Sequence, residues 1–409
     1  MERTIKLWYD GGELTVDIPG GVTVDEFRAK TVEKAVTPEQ FAVGLGRAGF
    51  SEFVTSSPLV IVNDGYRNSP TARILSWLNH IAPLVVSGGR FLVATGAHSA
   101  PSEKHLRAVF GDLYDTVRSR VFWHDALRTD SMSPVGTDSF GEPVLVNRLF
   151  CEAGRVIIIG SVEPHYFAGF TGGRKSIFPG ICDLKTIERN HNLADSLEAR
   201  PMKLDHNPVQ EHLDSLLGLV DIDKVLSIQI VLDSRDTIAG IFCGRVRDSF
   251  LEAVRLAEEI YSCRTDGLYD MTLAELVPPL DDNLYQAQKA LENCQTSVRD
   301  GGTCVVAAAC RGGIGTDSFF KLADAWDRSA NRAKDGIRRF GSHKLSRVNT
   351  MSRRIDVRLY STLPADQVRH VYWEPVADLS AFVRDRLTPA SRLAIVRNAG
   401  HAVMINHNC

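Results

Sequence analysis

Four short apolar runs constrain the fold of this chain more than any other feature. LVIVND (59–64), FLVATG (91–96), RVIIIG (155–160) and VLSIQIVL (225–232) are mostly aliphatic, and each ends in a polar or glycine-rich segment. A strand that is apolar on both faces must be covered on both faces, which is the condition of a parallel sheet rather than a one-sided one. The segments between some of them can provide that cover. TARILSWLNHIA (71–82) and SEKHLRAVFGDL (102–113) carry apolar residues at helical spacing. Buried strands alternating with helices predict an α/β fold with a largely parallel sheet. In such sheets ligands gather outside the carboxyl ends of the strands, so the residues just after each run are the ones to read for chemistry.

A chain of 409 residues is long for one core, and two domains are expected. Residues 4–19 alternate around Asp10-Gly11-Gly12, the signature of a hairpin. SFLEAVRLAEEIYSCR (249–264) reads as a long amphipathic helix, and the turn-rich TDGLYDMTLAELVPPLDD follows it. That passage places the boundary near 265–275, giving an N-terminal α/β domain over 1–270 and a C-terminal α/β domain over 271–409, with the active site in the cleft between them. A second apolar series then runs through the helix LYQAQKALENCQTSV, the strand TCVVAAA and the strand RLAIVRNAG.

The net charge of −3 leaves no basic excess to neutralise a polyanion, which argues against nucleic acid as a partner. No run approaches twenty apolar residues, so no membrane span is expected. The start, MERTIKLWYDGGELTV, lacks the apolar core of a secretion signal. Cys151, Cys182, Cys243, Cys263, Cys294, Cys304, Cys310 and Cys409 form no C-x-x-C pair and read as small buried hydrophobes. The expectation is a reduced, cytoplasmic protein.

Chemistry collects at three successive strand ends. GYRNSP after the first run places Asp64 and Arg67 there, and AHSAPSE after the second places His98. SVEPHYFAGFTGGRK after the third places His165 and Lys175. Each has an ordinary alternative: Asp64 as a helix cap, each histidine as a structural residue, GGRK as a glycine turn with a surface basic pair. Their coincidence points to a site. Gly172 and Gly173 permit backbone conformations closed to other residues, yet neither the phosphate-loop nor the dinucleotide glycine pattern is present. A lysine among glycines and aromatics is suited to covalent attachment, because desolvation makes its amine nucleophilic.

Downstream, the helical ICDLKTIERNHNL carries His191, and imidazole is a common ligand for nickel or zinc. No H-x-x-x-H pair accompanies it, so a metal there would take its remaining ligands from outside the chain. In the second series, Tyr285, Gln286 and Lys289 share a helix. They are either a solvated face or a phenol, amide and ammonium arranged for a carboxylate.

TGAHSAPSE, EPHYFAGFTGGRKSIFPGI, the histidine of ERNHNL and NLYQAQKAL, in that order, resemble the nickel-pincer-nucleotide-dependent lactate racemase family. The resemblance runs from about Asp64 to Lys289. It implies a cofactor, the nickel(II) complex of pyridinium-3-thioamide-5-thiocarboxylic acid mononucleotide, joined to Lys175 as a thioamide. It implies His191 as the protein's ligand to nickel, with Asp64, Gly172 and Gly173 on the cofactor side. His98 and His165 would then be acid/base groups on either side of a small-molecule 2-hydroxy acid, with Arg67, Tyr285, Gln286 and Lys289 holding its carboxylate.

The activity implied is racemisation or epimerisation by reversible hydride transfer through a 2-keto acid, with cofactor-biosynthesis proteins as further partners. A redox enzyme that releases the keto acid and a non-catalytic carboxylate- or nucleotide-binding protein are the alternatives. The chain departs from the family's D-x-T-R-P, reading Asp64-Gly65-Tyr66-Arg67-Asn68, and has Ser99 where arginine often follows the first histidine. These departures predict a substrate other than lactate.

Overall fold

The computed structural model describes residues 3–406 apart from 55–56, 66–68, 316, 338 and 340, so Arg67 lies outside the described residues. The chain forms two compact units, Thr31–Ile260, and Met1–Lys30 together with Tyr261–Cys409. It opens with the expected hairpin, β1 (Arg3–Tyr9) and β2 (Gly12–Ile18), turning at Asp10 and Gly11, both at positive φ. β3 (Thr23–Phe27) follows.

The continuous unit, 31–260, contains β4 (Leu59–Asn63), β5 (Arg90–Ala94), β6 (Val121–Trp123), the hairpin β7 (Met132–Thr137) and β8 (Pro143–Asn147), and β9 (Val156–Ser161). The small hairpin β10 (Pro164–His165) and β11 (Gly169–Phe170) comes next, and β12 (Val225–Leu232) and β13 (Ile238–Gly244) complete the unit. Its main sheet has the order β13-β12-β9-β4-β5-β6, parallel throughout except for the edge strand β13.

The four apolar runs are thus β4, β5, β9 and β12, and their side chains alternate between two cores. Val60 and Val62 face Ile74, Leu78 and Phe110, whereas Leu59 and Ile61 face Phe150, Phe178 and Leu213. Burying each such side chain contributes roughly 1.5–3 kcal/mol, which is why strands this apolar fold only when both faces are covered. The chain steps from β4 to β5 to β6 in one direction, then returns past β4 to β9 and β12. Between β4 and β9, therefore, the connections diverge, and it is outside the carboxyl ends at such a point that sheets of this kind bind ligands.

The other unit adds β14 (Ser262–Thr265), β15 (Tyr269–Glu275), β16 (Val298–Ala307), the short pair β17 (Trp326–Asp327) and β18 (Arg332–Ala333), β19 (Asp356–Tyr360), β20 (Glu374–Pro375), β21 (Arg392–Val396) and β22 (Val403–Asn406). Its principal sheet, β20-β19-β16-β15-β21-β3, is parallel throughout.

Two features differ from the sequence reading. Residues 1–30, expected in the N-terminal domain, pack with the C-terminal unit, because β3 extends the sheet beside β21 with Thr23 opposite Arg392. The passage expected to be a boundary contains β15, a buried central strand. Its polar residues conceal it: Asp270 accepts from the Arg392 backbone N–H at 2.7 Å, and the Thr272 hydroxyl meets that of Ser297 at 3.1 Å.

All the described cysteines are free thiols, with Cys182, Cys263, Cys294, Cys304 and Cys310 buried. Among the described residues no helix is long and apolar enough to cross a membrane.

Candidate active site

Asp64 is the residue immediately after β4. It does not cap a helix, since the next one, Thr71–Ile81, begins behind Pro70. Its carboxylate, 5% exposed, accepts from His98 Nδ1 at 2.5 Å. A carboxylate oxygen takes only the accepting role here, so Nδ1 carries the hydrogen and His98 Nε2 keeps the lone pair. The loop carrying His98 is tied down twice. The His98 N–H donates to Thr95 O at 3.0 Å, and the Gly96 N–H donates to Gly180 O at 2.9 Å, joining it to the end of the lysine loop.

Beyond β9 the chain doubles back through β10 and β11, and Thr171 laces this turn to the strand. Its hydroxyl donates to Ser161 O at 2.8 Å and accepts from the Glu163 N–H at 3.0 Å. His165 is buried on β10, with Nδ1 accepting from the Ala168 N–H at 3.2 Å. In the neutral ring the hydrogen therefore sits on Nε2, the opposite arrangement from His98.

Phe167, an aromatic to which the sequence reading gave no role, is the hub of this corner. His165 meets its ring at 4.5 Å and 83°, and His191 meets it at 5.0 Å and 68°. Lys175 Nζ lies 5.6 Å from the same ring centroid, within cation–π range. Three of the residues singled out from the sequence are thus brought round one side chain.

The turn bearing Lys175 is seated by its glycines, both at positive φ. At Gly172 (φ +82°) a Cβ would come within 2.6 Å of Gln229 Oε1 and Val162 Cγ2. At Gly173 (φ +55°) it would come within 2.8 Å of the Phe250 ring. Protein atoms fill that space, and the Gly173 N–H donates to Gln229 Oε1 at 2.8 Å. Nor is the basic pair a surface feature. Arg174 is buried over the Phe250 ring and ion-paired with Asp214 at 3.0 Å, whereas Lys175 is half-buried.

His191 lies on the helix Leu184–Asn192, whose N-cap Asp183 accepts from the Thr186 N–H. Neighbouring side chains fix the helix: Arg189 Nε donates to the buried Asp138 carboxylate at 2.6 Å, and Asn190 Nδ2 to Val209 O at 3.1 Å. His191 Nδ1 donates to Ile187 O at 2.9 Å, which puts the lone pair of the neutral ring on Nε2. Among the described residues no group of three or more His, Cys, Asp or Glu side chains could hold a metal. A metal on His191 would take its other donors from a bound group. One nitrogen donor here, with an amine beside the same aromatic ring, fits a lysine-tethered cofactor that brings its own ligands.

The remaining predicted cluster belongs to the other unit. Tyr285, Gln286 and Lys289 lie on the helix Leu284–Cys294, N-capped by Asn283, which accepts from the Gln286 N–H at 3.0 Å. The glycine-rich loop 311–315 holds the first turn, with Leu284 N–H donating to Gly313 O and Tyr285 N–H to Ile314 O. All three side chains are half-buried rather than solvated, and burial pushes the Tyr285 phenol up to about 12. Lys344 packs against Tyr285 from a neighbouring helix. Nothing in SHKLSRV marked it in the sequence.

Together the fold and these clusters define a doubly wound α/β protein in which His98, His165 and Lys175 follow the carboxyl ends of β5 and β9, with His191 on the helix Leu184–Asn192. A family model for the lactate racemase N-terminal domain matches residues 9–201, and one for the lactate racemase C-terminal domain matches residues 276–355. The chain belongs to the lactate racemase family.

It is 31% identical over 235 residues to a lactate racemase of Thermoanaerobacterium thermosaccharolyticum, spanning 57% of this chain and 54% of that protein. It is 32% identical over 286 residues to a lactate racemase of Lactiplantibacillus plantarum, spanning 66% and 64%. The match thus covers just over half to just under two thirds of each relative's length. In fold it is similar to the lactate racemase apoprotein of T. thermosaccharolyticum, with a TM-score of 0.83 at 23% identity over 98% of this chain and 100% of that one. It is also similar to a protein from Thermotoga maritima, with a TM-score of 0.71 at 18% identity over 91% and 99%.

Proposed function

We propose that this chain is an isomerase, a racemase or epimerase of a 2-hydroxy acid, working with a nickel pincer nucleotide tethered at Lys175. The observation that carries the reading is the single Phe167 ring, which His165, Lys175 and His191 all meet. Lys175 would hold the cofactor covalently and His191 Nε2 would bind its nickel. When bound, the cofactor supplies a hydride acceptor for the carbinol carbon, so that a 2-hydroxy acid and its 2-keto acid can interconvert.

The chain's own groups manage the proton and the geometry. His98, its ring fixed by Asp64, takes the hydroxyl proton at Nε2. His165 presents Nε2–H and donates a hydrogen bond to the substrate oxygen. For it to exchange a proton fully, its contact with the Ala168 N–H must open. Two rings in complementary states suit a substrate whose two enantiomers place the hydroxyl on opposite sides. Strands lie roughly 4.8 Å apart, so the ends of β5 and β9, with β4 between them, are on the order of 10 Å apart, enough for a small acid. Tyr285, Gln286 and Lys289, with Arg67, are the groups assigned to the substrate carboxylate.

The test is production in a host that makes the cofactor, followed by intact mass and nickel content. An adduct on Lys175 with stoichiometric nickel is expected, and the absence of both overturns the assignment. His191→Ala should keep the adduct and lose nickel. His98→Ala and His165→Ala should keep both and abolish racemisation as read by chiral chromatography.

A further inference from the structure

A recess on the unit containing β14 to β22 has no part in the roles assigned above. It forms where the hairpin of β17 and β18 meets the end of the helix Ser342–Met351 and the turn after it. It is open to solvent and encloses about 810 Å³, a size suited to a small molecule. Two asparagines fix the junction. Asn331 Nδ2 donates to Ser346 Oγ at 3.0 Å, and Asn349 Nδ2 donates to Arg328 O at 2.7 Å and to Asn331 Oδ1 at 2.9 Å.

Arg328, Lys334 and Arg353 line this recess. All three are exposed, yet each is held by neutral acceptors. Arg328 lies 4.8 Å from the Tyr372 ring centroid and donates from Nε to Asn349 Oδ1 at 3.1 Å. Arg353 Nη2 donates to Arg328 O at 3.1 Å and to Ser329 O at 2.8 Å. Lys334 Nζ donates to Asp324 O at 2.9 Å. Among the described residues none of these cations pairs with a carboxylate, and Arg328 Nη1 and Arg353 Nε and Nη1 make no hydrogen bond.

Asp327, the acid in the lining, is engaged elsewhere. Its Oδ1 accepts from the Ser329 N–H at 3.0 Å, the Ser329 hydroxyl at 2.9 Å and the Ala330 N–H at 3.1 Å, and Arg332 stands opposite it in the hairpin. The Asp324 carboxylate meets His370 Nε2 at 3.3 Å. Three cations against one carboxylate leave a surplus of two positive charges in the lining. A recess lined by one sign of charge concentrates the opposite ion.

We propose that this recess binds the phosphate group of a small organic phosphate ester. A phosphate monoester carries a charge of about −2 near neutral pH, which matches the surplus, and its oxygens only accept, which suits guanidinium donors already held in place. The recess is larger than a phosphate ion, so an organic part has room beside it. The inference does not depend on the assignment at Lys175.

The test is titration calorimetry of the full chain, produced in the cofactor-making host. The probe is adenosine 5′-monophosphate, compared with inorganic phosphate, adenosine and succinate, whose two charges sit on separate carboxylates. The ester should bind with a Kd of roughly 0.1–1 mM, as a few exposed ionic contacts allow. Inorganic phosphate should bind more weakly, and adenosine and succinate should not saturate. Added salt should weaken binding. Arg353→Gln and Lys334→Gln should each weaken the ester by about five- to tenfold.

Circular dichroism and thermal unfolding establish that each variant is folded. Should R353Q misfold, K334Q carries the test alone, because glutamine can still donate to Asp324 O. Wild-type affinity in the folded variants would overturn the proposal, as would the failure of the ester to bind. Inorganic phosphate binding as tightly as the ester would assign the recess to the free ion instead, and succinate binding as tightly would remove the preference for phosphate; either result overturns the ester.

Discussion

Asp64 gives the most discriminating test of how the site works. The resemblance to the family places it on the cofactor side, whereas the structure pairs it with His98. Replacing it with asparagine keeps its size and removes the charge. The amide can still accept from His98 Nδ1–H through its oxygen, but as a neutral acceptor. With its NH₂ group turned inward it donates instead, moving the ring hydrogen to Nε2, where the lone pair is needed.

A hydrogen bond to a charged group contributes about 1.5–3 kcal/mol. The carboxylate is 5% exposed but the His98 side chain is 48% exposed, so water competes on one side and the lower half of that range applies. A loss of about 1.5–2 kcal/mol corresponds to roughly a 10- to 30-fold fall in rate, at 1.36 kcal/mol per decade. It should appear in kcat rather than KM, because the pair orients a base and does not grip the substrate. The assay is interconversion of enantiomers followed by chiral chromatography, with nickel content and Lys175 mass measured on the same preparation. Activity within twofold of wild type would refute the dyad reading. Loss of nickel or adduct in Asp64→Asn would place Asp64 with the cofactor instead.

Other expectations follow from particular contacts. Gly173→Ala forces a side chain onto a positive-φ backbone and against the Phe250 ring. It should destabilise the protein by about 2–4 kcal/mol in chemical denaturation and reduce the Lys175 adduct seen by mass. Buried His124 donates from Nε2 to Cys182 O and accepts at Nδ1 from Asn147, and burial lowers its pKa; burial lowers that of His212 too, outweighing Asp138. Both bind a proton more readily when unfolded, so stability should fall as pH drops below about 6.5, at up to about 1.4 kcal/mol per pH unit for each group, and His124→Gln should flatten that slope. Across a panel of 2-hydroxy acids, the departures at 65–68 and Ser99 predict a best substrate other than lactate, and lactate as the fastest would contradict this.

Much of the candidate site was legible because parallel sheets put chemistry where strands end. Once LVIVND, FLVATG and RVIIIG were read as strands, Asp64, His98, His165 and Lys175 stood at their mouths without further assumption. The contacts among them were not legible. That Asp64 reaches His98 depends on β4 and β5 being neighbours, which is a matter of strand order rather than of either segment's composition. Phe167 was visible only as one aromatic among several, since its part is set by a helix that begins at Leu184. β15 was hidden because its polar residues find partners as distant in sequence as Ser297 and Arg392. Lys344 was invisible for a similar reason: a lysine within a helix reads as solvated until the helix facing it is known.

The placement of β3 beside β21 has a consequence for how the protein is made. The strand at Thr23 leaves the ribosome long before its partner at Arg392, with the whole of 31–260 synthesised between them. The intervening unit needs no residue outside its own span to close its main sheet, so it can form while the other still lacks an edge. His98, His165, Lys175 and His191 all lie on that early, continuous piece, whereas Tyr285, Gln286 and Lys289 lie on the discontinuous one. A nascent chain can therefore present Lys175, the proposed attachment point, before the groups proposed to bind the substrate have been translated.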